Sequence, residues 1–273
     1  MDVDKAKQIK RAIESFFYKI KYNVGLTSIL ESNKYHEFRD TLETALKDQV
    51  LYFAKFEKIN EIIGVNKAVR SLTDDLFLPH LDRIWIPLIS LISEQILTDF
   101  FIFSADKSGQ DAVNKLSSDA KFRLTNQKEI EKLQTMILLM IGQIDATTKS
   151  WIARTIEEGI NNDFSIIDIA RSLRDEASHI AKTRSDIIAE NQAAQVSGLI
   201  TNEVYLRSGV TQHRWVTAHD ERTCPICMAN ENAGIIDIGS EFPSGALYPP
   251  SHISCRCYTL PVADNIEDIW IGT

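Results

Sequence analysis

The chain has 273 residues, of which 44% are apolar and 25% charged, the balance of an ordinary globular protein with one large or two modest domains. Its net charge of −8 is unevenly placed. From residue 211 onward there are three arginines, no lysine and eight acidic residues, which give this segment −5. Non-specific DNA binding depends on Lys and Arg that neutralise phosphates. DNA contact is possible in principle, but charge does not support it.

Two segments bear on targeting and membranes. No signal peptide is expected, because MDVDKAKQIKRAIESFF at the N-terminus contains no uninterrupted apolar run. The most apolar segment, RIWIPLISLISEQILTDFFIF, carries Glu94 and Asp99 in its second half. A spanning helix of about 20 residues does not readily accept two acidic side chains. We therefore expect this segment to form a buried helix and not a membrane span. We also expect the protein to be intracellular when it is synthesised, in a compartment that keeps thiols reduced.

Apolar residues at three- and four-residue steps predict helices through most of residues 1–210. In the first part of the chain these are Ile9, Ala12, Ile13, Phe16, Phe17 and Ile20, followed by Leu42, Leu46, Val50 and Phe53. Gly64 is expected to end the second of these helices. Pro87 is well placed to begin the next, which carries Leu88, Ile92, Ile96 and Phe100. The sequence SADKSGQDA (104–112) then predicts a loop.

A long helix with a coiled-coil-like apolar seam is predicted next. Its seam residues are Ile130, Leu133, Ile137, Met140 and Ile144. Packing inside a helical bundle is the expected use of the seam, and oligomerisation is the alternative. The helix should end at Asn161 and Asn162.

Two further helices are predicted before residue 210. Ser165 and Asp168 have the spacing of a capping box and should begin the first. A separate helix is expected from about Thr183, with Gly209 at its C-terminal end. One face of that helix is apolar and consists of Ala189, Ala193, Val196, Ile200 and Val204.

After Gly209 the helical spacing gives way to short segments separated by Pro, Gly and Ser. HRWVTA, GIIDI and CRCYTLPV are candidate strands. We therefore divide the chain into a helical N-terminal region (1–125), a second helical region (126–210) and a C-terminal module (211–273). The expected fold class is mainly α, a multi-helix body with a small, loop-rich α+β module.

All four cysteines lie inside that module. The pattern is Cys224-x2-Cys227, then 24 residues, then His252-x2-Cys255-x-Cys257. Two close ligand pairs joined by a loop are the usual arrangement of a structural zinc site. Because a loop-rich module of about 50 residues has little core of its own, a bound ion would supply cross-links that packing cannot.

Five candidate ligands compete for the four positions of a tetrahedral Zn²⁺. We expect Cys224, Cys227, His252 and Cys255 to hold the ion, with Cys257 as the alternative to Cys255. A site with four protein ligands is closed, so it indicates a structural role. No H-E-x-x-H, G-x-S-x-G or P-loop pattern occurs in the sequence, and we expect no enzyme.

Other interpretations of the cysteines remain open. Cys224 and Cys227 could form a thiol–disulfide redox pair, although no βαβ pattern precedes them. Disulfides would suit an extracellular protein, and unrelated buried thiols would not cluster. The zinc-finger-like spacing also fits a zinc-dependent nucleic-acid-binding module, which the acidic charge opposes.

The other polar and aromatic residues of the module allow two interpretations each. The run His219, Asp220, Glu221 and Arg222 could be an active-site cluster, but a local turn or an ion pair between Asp220 and Arg222 is expected instead. Trp215 and Phe242 are expected in the core of the module rather than as stacking platforms for bases.

The segments WVTAHDERTCPIC (215–227) and PPSHISCRC (249–257), with Gly234 and Phe242 between them, resemble the phage head morphogenesis domain. That family includes the Mu F-like proteins and the minor head protein of phage SPP1. The resemblance is strong over residues 211–260 and looser over the helices from about residue 130. Where the family often carries an Arg-Thr-Glu-like triplet, this chain has Glu190-Asn191-Gln192.

The resemblance implies a minor capsid protein present in low copy number. It implies association with the portal or the inside of the procapsid, and a part in head assembly or in DNA packaging and delivery. Portal and capsid proteins of the same phage would be its partners. The virion or procapsid, and the bacterial host cytoplasm during assembly, would be its location.

Overall fold

The computed structural model of the protein describes residues 24–69, 81, 84–116, 121–122, 124 and 127–262. The helix predicted around residues 9–20 lies outside this range. Within it the chain is mainly helical and carries one small sheet near its C-terminal end, which confirms the predicted fold class. None of the described helices combines the length and the apolar character needed to cross a membrane.

The described residues form seven α-helices and one 3₁₀ turn. The helices are α1 (Val24–Leu30), α2 (Asn33–Phe53), α3 (Phe56–Val69), α4 (Glu94–Lys115), α5 (Gln127–Asn161), α6 (Ile166–Arg207) and α7 (Pro225–Asn232), and the 3₁₀ turn is Leu88–Ser90.

The sheet consists of three short antiparallel strands. They are β1 (Gln212–Val216), β2 (Ile235–Asp237) and β3 (Tyr258–Val262), and their spatial order is β2-β1-β3. Arg214 of the central strand lies opposite Ile235 on one side and Leu260 on the other. His213 and Trp215 are buried whereas Gln212 and Arg214 are exposed, the alternation expected of a sheet with one covered face. The three predicted strand segments are therefore confirmed.

The chain separates into two compact units. One unit contains Glu37–Thr98 and Gln127–Ala189. The other contains three segments: the residues up to His36, Asp99–Asn126, and the residues from Glu190 onward. The functional division at residues 125 and 210 stays a prediction.

The first of these units, the helical unit, has a continuous apolar core. Phe53 stacks on Trp85 with ring centroids 5.0 Å apart. A polar contact lies beside it, where the Gln49 side chain donates to Asp145 Oδ1 at 2.7 Å. The buried core residues are Val50, Phe53, Ala54, Ile59, Ile62, Ile63, Leu81, Ile152, Ala153, Ile156, Ile169, Ala170, Leu173 and Ala177.

Several sequence predictions for the helices are confirmed. α5 ends at Asn161, and Ser165 Oγ accepts from the Asp168 N–H at 3.1 Å while donating to the Asp168 carboxylate at 2.6 Å. Gly209 follows α6 in the left-handed conformation, with a φ of 73°. The apolar face predicted for the helix that ends near Gly209 is buried throughout in α6: Ala189, Ala193, Val196, Ile200 and Val204. In the α5 seam, Leu133, Met140 and Ile144 are buried, as bundle packing requires. Ile130 is only partly buried, and the side chain of Ile137 lies outside the described range.

Two predicted helix starts and ends were wrong. Gly64 lies inside α3, and the break comes earlier, at Ala54 and Lys55. A glycine costs only about 1 kcal/mol relative to alanine in a helix, which the burial of Ile62 and Ile63 can offset. Pro87 precedes only the 3₁₀ turn, and α4 does not begin until Glu94.

The loop predicted over residues 104–112 was also wrong, since this stretch is part of α4. Its small residues Ser104, Ser108 and Ala112 are fully buried. A Cβ on Gly109 would lie 2.2 Å from the ring of Phe122. Tertiary packing against small side chains therefore holds a helix where local composition suggests a loop.

The predicted break before Thr183 does not occur, because α6 runs without interruption from Ile166 to Arg207. Ala177, Ala181, Ser185 and Ala189, at four-residue steps, are all fully buried. This narrow stripe of small residues continues the apolar face through a polar sequence. Because the stripe contains no large apolar side chain, the helical spacing of its buried residues was not evident in the sequence, and a break was predicted instead.

Candidate metal centre

The first ligand pair is positioned by the start of α7. Cys224 is the N-cap residue, with extended backbone angles, and Pro225 occupies the first helical turn. The Cys227 N–H donates to Cys224 Sγ at 3.4 Å. This contact closes the turn, so the two sulfurs face the same side three residues apart.

The second ligand pair lies on a tight turn after Pro250. Ser254 adopts the left-handed conformation, with a φ of 58°, and the Cys255 N–H donates to the His252 carbonyl at 3.3 Å. This reversal of the chain turns the His252 ring and the Cys255 thiol toward the same point. Left-handed backbone costs roughly 1–2 kcal/mol in a residue other than glycine, so the surrounding contacts must hold it.

The two pairs meet, and the structure brings all five predicted donors together. Cys227 Sγ lies 3.7 Å from Cys255 Sγ and 3.0 Å from His252 Nε2, and Cys224 Sγ lies 3.1 Å from the same nitrogen. Two overlapping groups of donors result: Cys224, Cys227 and His252, and Cys227, Cys255 and Cys257, with the donor atoms of each group within 4.8 Å of one another. This Cys/His cluster could hold a metal ion.

The observed spacing can be compared with that of a tetrahedral zinc site. Metal–ligand distances of about 2.3 Å for sulfur and 2.0–2.1 Å for nitrogen separate two sulfurs by about 3.8 Å and a sulfur from a nitrogen by about 3.6 Å. The Cys227–Cys255 separation agrees with this, and the His252 ring would have to withdraw from the sulfurs by about half an ångström. The donors therefore fit such an ion after a small movement of one side chain.

The orientation of His252 also suits a ligand. Its Nδ1 lies 2.8 Å from the Ile253 carbonyl oxygen, which can only accept, so Nδ1–H donates to it. In the neutral ring Nε2 then carries the lone pair, and Nε2 is the nitrogen that faces the thiols. A backbone carbonyl that fixes the tautomer in this way is typical of metal-binding histidines.

The choice between Cys255 and Cys257 as the fourth ligand stays a prediction. The two residues are separated by one position, so an extended chain points both side chains to the same face. Both thiols are buried, and both belong to the group that contains Cys227.

The thiols of Cys227, Cys255 and Cys257 strongly shift one another's pKa values. A hydrogen bond from Cys257 lowers the pKa of Cys255 to about 5, although burial opposes the shift. Burial, followed by repulsion from Cys255, raises the pKa of Cys227 to about 12. The hydrogen bond with Cys255 and burial also raise the pKa of Cys257. One thiolate is thus favoured among three sulfurs, and a bound cation would have to displace the remaining protons.

Two aromatic side chains lie in the core of the module, as predicted, and they are buried together with the thiols of Cys227, Cys255 and Cys257. Trp215 and Phe242 are buried, and their ring centroids lie 5.0 Å apart. His213 is fully buried, and its ring centroid lies 5.2 Å from that of Phe242. Neither of its ring nitrogens has a hydrogen-bond partner among the described residues, and burial lowers its pKa.

The run from His219 to Arg222 does not form one cluster. His219 Nε2 lies 3.0 Å from a Glu231 carboxylate oxygen. The Asp220 carboxylate accepts from the Arg222 backbone N–H at 3.1 Å, which confirms the predicted local turn. The predicted ion pair has a different partner, because Asp220 binds Arg256. Hydrogen bonds from Arg256 lower the pKa of Asp220 to about 2.

The same part of the chain has a recognisable family signature. A sequence profile described as Phage Mu protein F like protein matches residues 148–260. These residues form a Mu F-like phage head morphogenesis domain. The match confirms the resemblance found in the sequence, and it takes in the last part of α5, all of α6 and the module as far as Leu260. No curated protein and no solved structure matches the chain significantly.

Proposed function

We propose that the protein is a structural minor capsid protein of a phage or prophage. It associates with the portal or the procapsid and aids head assembly, DNA packaging or DNA delivery. The observation that carries this proposal is the Mu F-like match over residues 148–260, which links the chain to phage heads. The virion or procapsid is then its destination, and the host cytoplasm its location during assembly.

The proposal includes a structural Zn²⁺ in the module. Cys224, Cys227, His252 and Cys255 are its proposed ligands, with Cys257 as the alternative fourth thiol. Convergence of donors from two segments separated by 24 residues supports a cross-linking role. Four protein ligands leave no position for a substrate or a reactive water, which supports a non-enzymatic role.

The helical part of the chain would supply contacts with portal or capsid proteins. Exposed Leu138 and Leu139, on α5, are apolar side chains of the kind that such contacts bury. The module itself is acidic, so contact with DNA through its charge is not part of the proposal.

Fractionation of assembling heads tests the proposed role. Procapsids and mature heads from infected or induced cells are separated on a density gradient, and the protein is quantified against the portal protein by mass spectrometry. We expect the protein in both particles, in low copy and in constant ratio to the portal protein. Its presence only among free soluble proteins, with none in heads or procapsids, would contradict the role.

A thiol–disulfide enzyme is the second candidate, and one feature of the site favours it. Cys224 is a half-buried N-cap thiol whose pKa is lowered by the Cys227 N–H, and a buried thiol follows three residues later. Disulfide exchange with glutathione separates the candidates. A redox enzyme loses turnover but keeps its fold in Cys227→Ser, whereas a zinc module loses metal and becomes less ordered.

A further inference from the structure

The two ligand pairs are joined by an ion pair as well as by their sulfurs. Asp220 lies four residues before Cys224, and Arg256 lies between Cys255 and Cys257. Arg256 Nη1 donates to Asp220 Oδ2 at 2.5 Å, and Nη2 donates to Oδ1 at 2.8 Å. This bidentate geometry fixes direction as well as distance, because a planar guanidinium meets a planar carboxylate edge to edge.

Asp220 is also fixed to the first ligand pair through its own turn. Its Oδ1 accepts from the Arg222 N–H, and its backbone carbonyl accepts from the Thr223 N–H at 3.0 Å. The Asp220 N–H donates to Thr223 Oγ1 at 3.2 Å. These contacts hold the turn that leads directly into Cys224, so a shift of the carboxylate would move the first thiol.

Arg256 is connected to the second pair through the chain itself. It lies between two candidate ligands, so a contact that fixes Arg256 also restricts the positions of the neighbouring thiols. About 70% of each partner's side chain is shielded, since Asp220 is 30% exposed and Arg256 28%. Glu190 of α6 also favours the charged guanidinium. The pair is therefore more protected than an ordinary surface salt bridge, which contributes about 0–1 kcal/mol.

We propose that Asp220 and Arg256 are positioning residues that set the spacing of the two ligand pairs and thereby determine how tightly the metal is held. This inference rests on the metal site of the proposed function. The ligand pairs belong to separate segments, and closing the loop between them has an entropic cost that metal binding would otherwise have to offset. The ion pair closes the loop before the metal arrives.

Metal affinity in matched variants tests the proposal. Zinc dissociation constants are measured on the full chain by competition with a chromophoric chelator, for Asp220→Asn, Arg256→Gln and the double variant. Asp220→Asn keeps an oxygen for the turn but removes the charge. Each single change should weaken zinc binding about 10–100-fold, the range for residues that orient metal ligands. The double variant should be no weaker than the worse single one, because either change breaks the same contact.

Two neighbouring residues are the controls. Glu221 and Arg222 are exposed, and Glu221→Gln and Arg222→Gln remove the same charges one and two positions from Asp220. Both controls should bind zinc as the unchanged chain does. Arg256→Lys keeps the charge but loses the bidentate geometry, and it should lie between the unchanged chain and Arg256→Gln.

A purely structural role is separated by a second readout, the urea unfolding midpoint of the metal-free chain followed by far-UV dichroism, which reports on the helices and not on the loop that the ion pair closes. Positioning predicts a large loss of zinc affinity with little change in that midpoint. An unchanged affinity in Asp220→Asn and Arg256→Gln overturns the inference and leaves the metal site standing. So does an equal loss of affinity and metal-free stability, which would make the pair a general stabiliser. If the unchanged chain takes up no zinc, the inference and the proposed metal site fail together.

Discussion

The helical unit and the C-terminal module have cores of different composition. Among the residues that the structure describes, the core of the helical unit contains fourteen buried residues, all apolar and spread over several helices. In the core of the module, Trp215 and Phe242 are buried together with the thiols of Cys227, Cys255 and Cys257. Apolar packing alone can stabilise the helical unit. The core of the module, in contrast, consists largely of side chains that could bind a metal ion.

The magnitudes show how packing could stabilise the helical unit and how the proposed zinc ion could stabilise the module. Full burial of one Leu, Ile or Phe side chain contributes about 1.5–3 kcal/mol, so a core of many such residues suffices for the helical unit. A structural zinc ion contributes an apparent 10–16 kcal/mol in small zinc-finger peptides, enough to offset the ordering of a loop-rich module. The difference predicts that the two regions respond to different perturbations.

The largest expected effect comes from removing one central thiol. Cys227 belongs to both donor groups, so Cys227→Ser should abolish tight metal binding and disorder the module while α-helical circular dichroism is largely retained. Zinc content, near-UV dichroism and far-UV dichroism measure the three consequences. Met228→Ala, at a half-exposed position next to it, is the control and should change none of them. Retention of stoichiometric zinc by Cys227→Ser would show that the module does not depend on this thiol for metal binding.

The opposite experiment perturbs the helical unit. Phe53 is fully buried and stacks on Trp85, so Phe53→Ala should cost about 3–5 kcal/mol in the free energy of unfolding. Urea unfolding followed by far-UV dichroism measures the loss. Zinc content and thiol accessibility should stay as in the unchanged chain. A simultaneous loss of metal would show that the regions are not stabilised separately.

A smaller effect concerns the contact of α6 with the segment before His252. A Cβ at Gly198 would lie 1.8 Å from the Pro249 carbonyl oxygen, so Gly198→Ala should destabilise by about 1–3 kcal/mol and weaken metal retention. Gly142, in α5, has no atom within 4 Å of such a Cβ. Gly142→Ala should stabilise by about 1 kcal/mol through helix propensity. Thermal unfolding compares the two variants, and the same sign for both would refute the account of the contact.

The smallest expected effect is a pH dependence located at His213. Burial lowers its folded-state pKa, so as pH falls below about 6.5 the unfolded chain takes up a proton before the folded chain does. Stability is therefore lost on acidification, by at most about 1.4 kcal/mol per pH unit. His213→Gln should show a shallower loss between pH 6.5 and 5 in urea unfolding followed by Trp fluorescence. Parallel curves would mean that His213 is not the group responsible.

The candidate site was more predictable from the sequence than the helix boundaries were. Ligand spacing is a local property, and two short motifs contain all five donors that the structure brings together: Cys224, Cys227, His252, Cys255 and Cys257. The helix over residues 104–112 depends on a distant side chain, Phe122, that fits against Gly109. No local pattern reveals such packing, which is why composition there suggested a loop.

Long-range polar contacts were missed for a similar reason. Asp220 and Arg256 are 36 positions apart, and the nearer Arg222 was the natural partner to expect for Asp220. The only sequence signal was an arginine placed between two candidate metal ligands. The environment of His213 could be predicted only in part. Alternation in β1 shows which face the residue occupies, but not that its ring nitrogens have no hydrogen-bond partner among the described residues.

The metal content of the purified chain shows whether the C-terminal module holds a zinc ion. Elemental analysis before and after mild chelation, with thiol counting alongside, gives both the stoichiometry and the accessibility of the cysteines. We predict about one zinc per chain, with most of the four thiols unreactive until the metal is removed. A chain without metal whose thiols react freely, or that carries a disulfide between Cys224 and Cys227, would contradict the account.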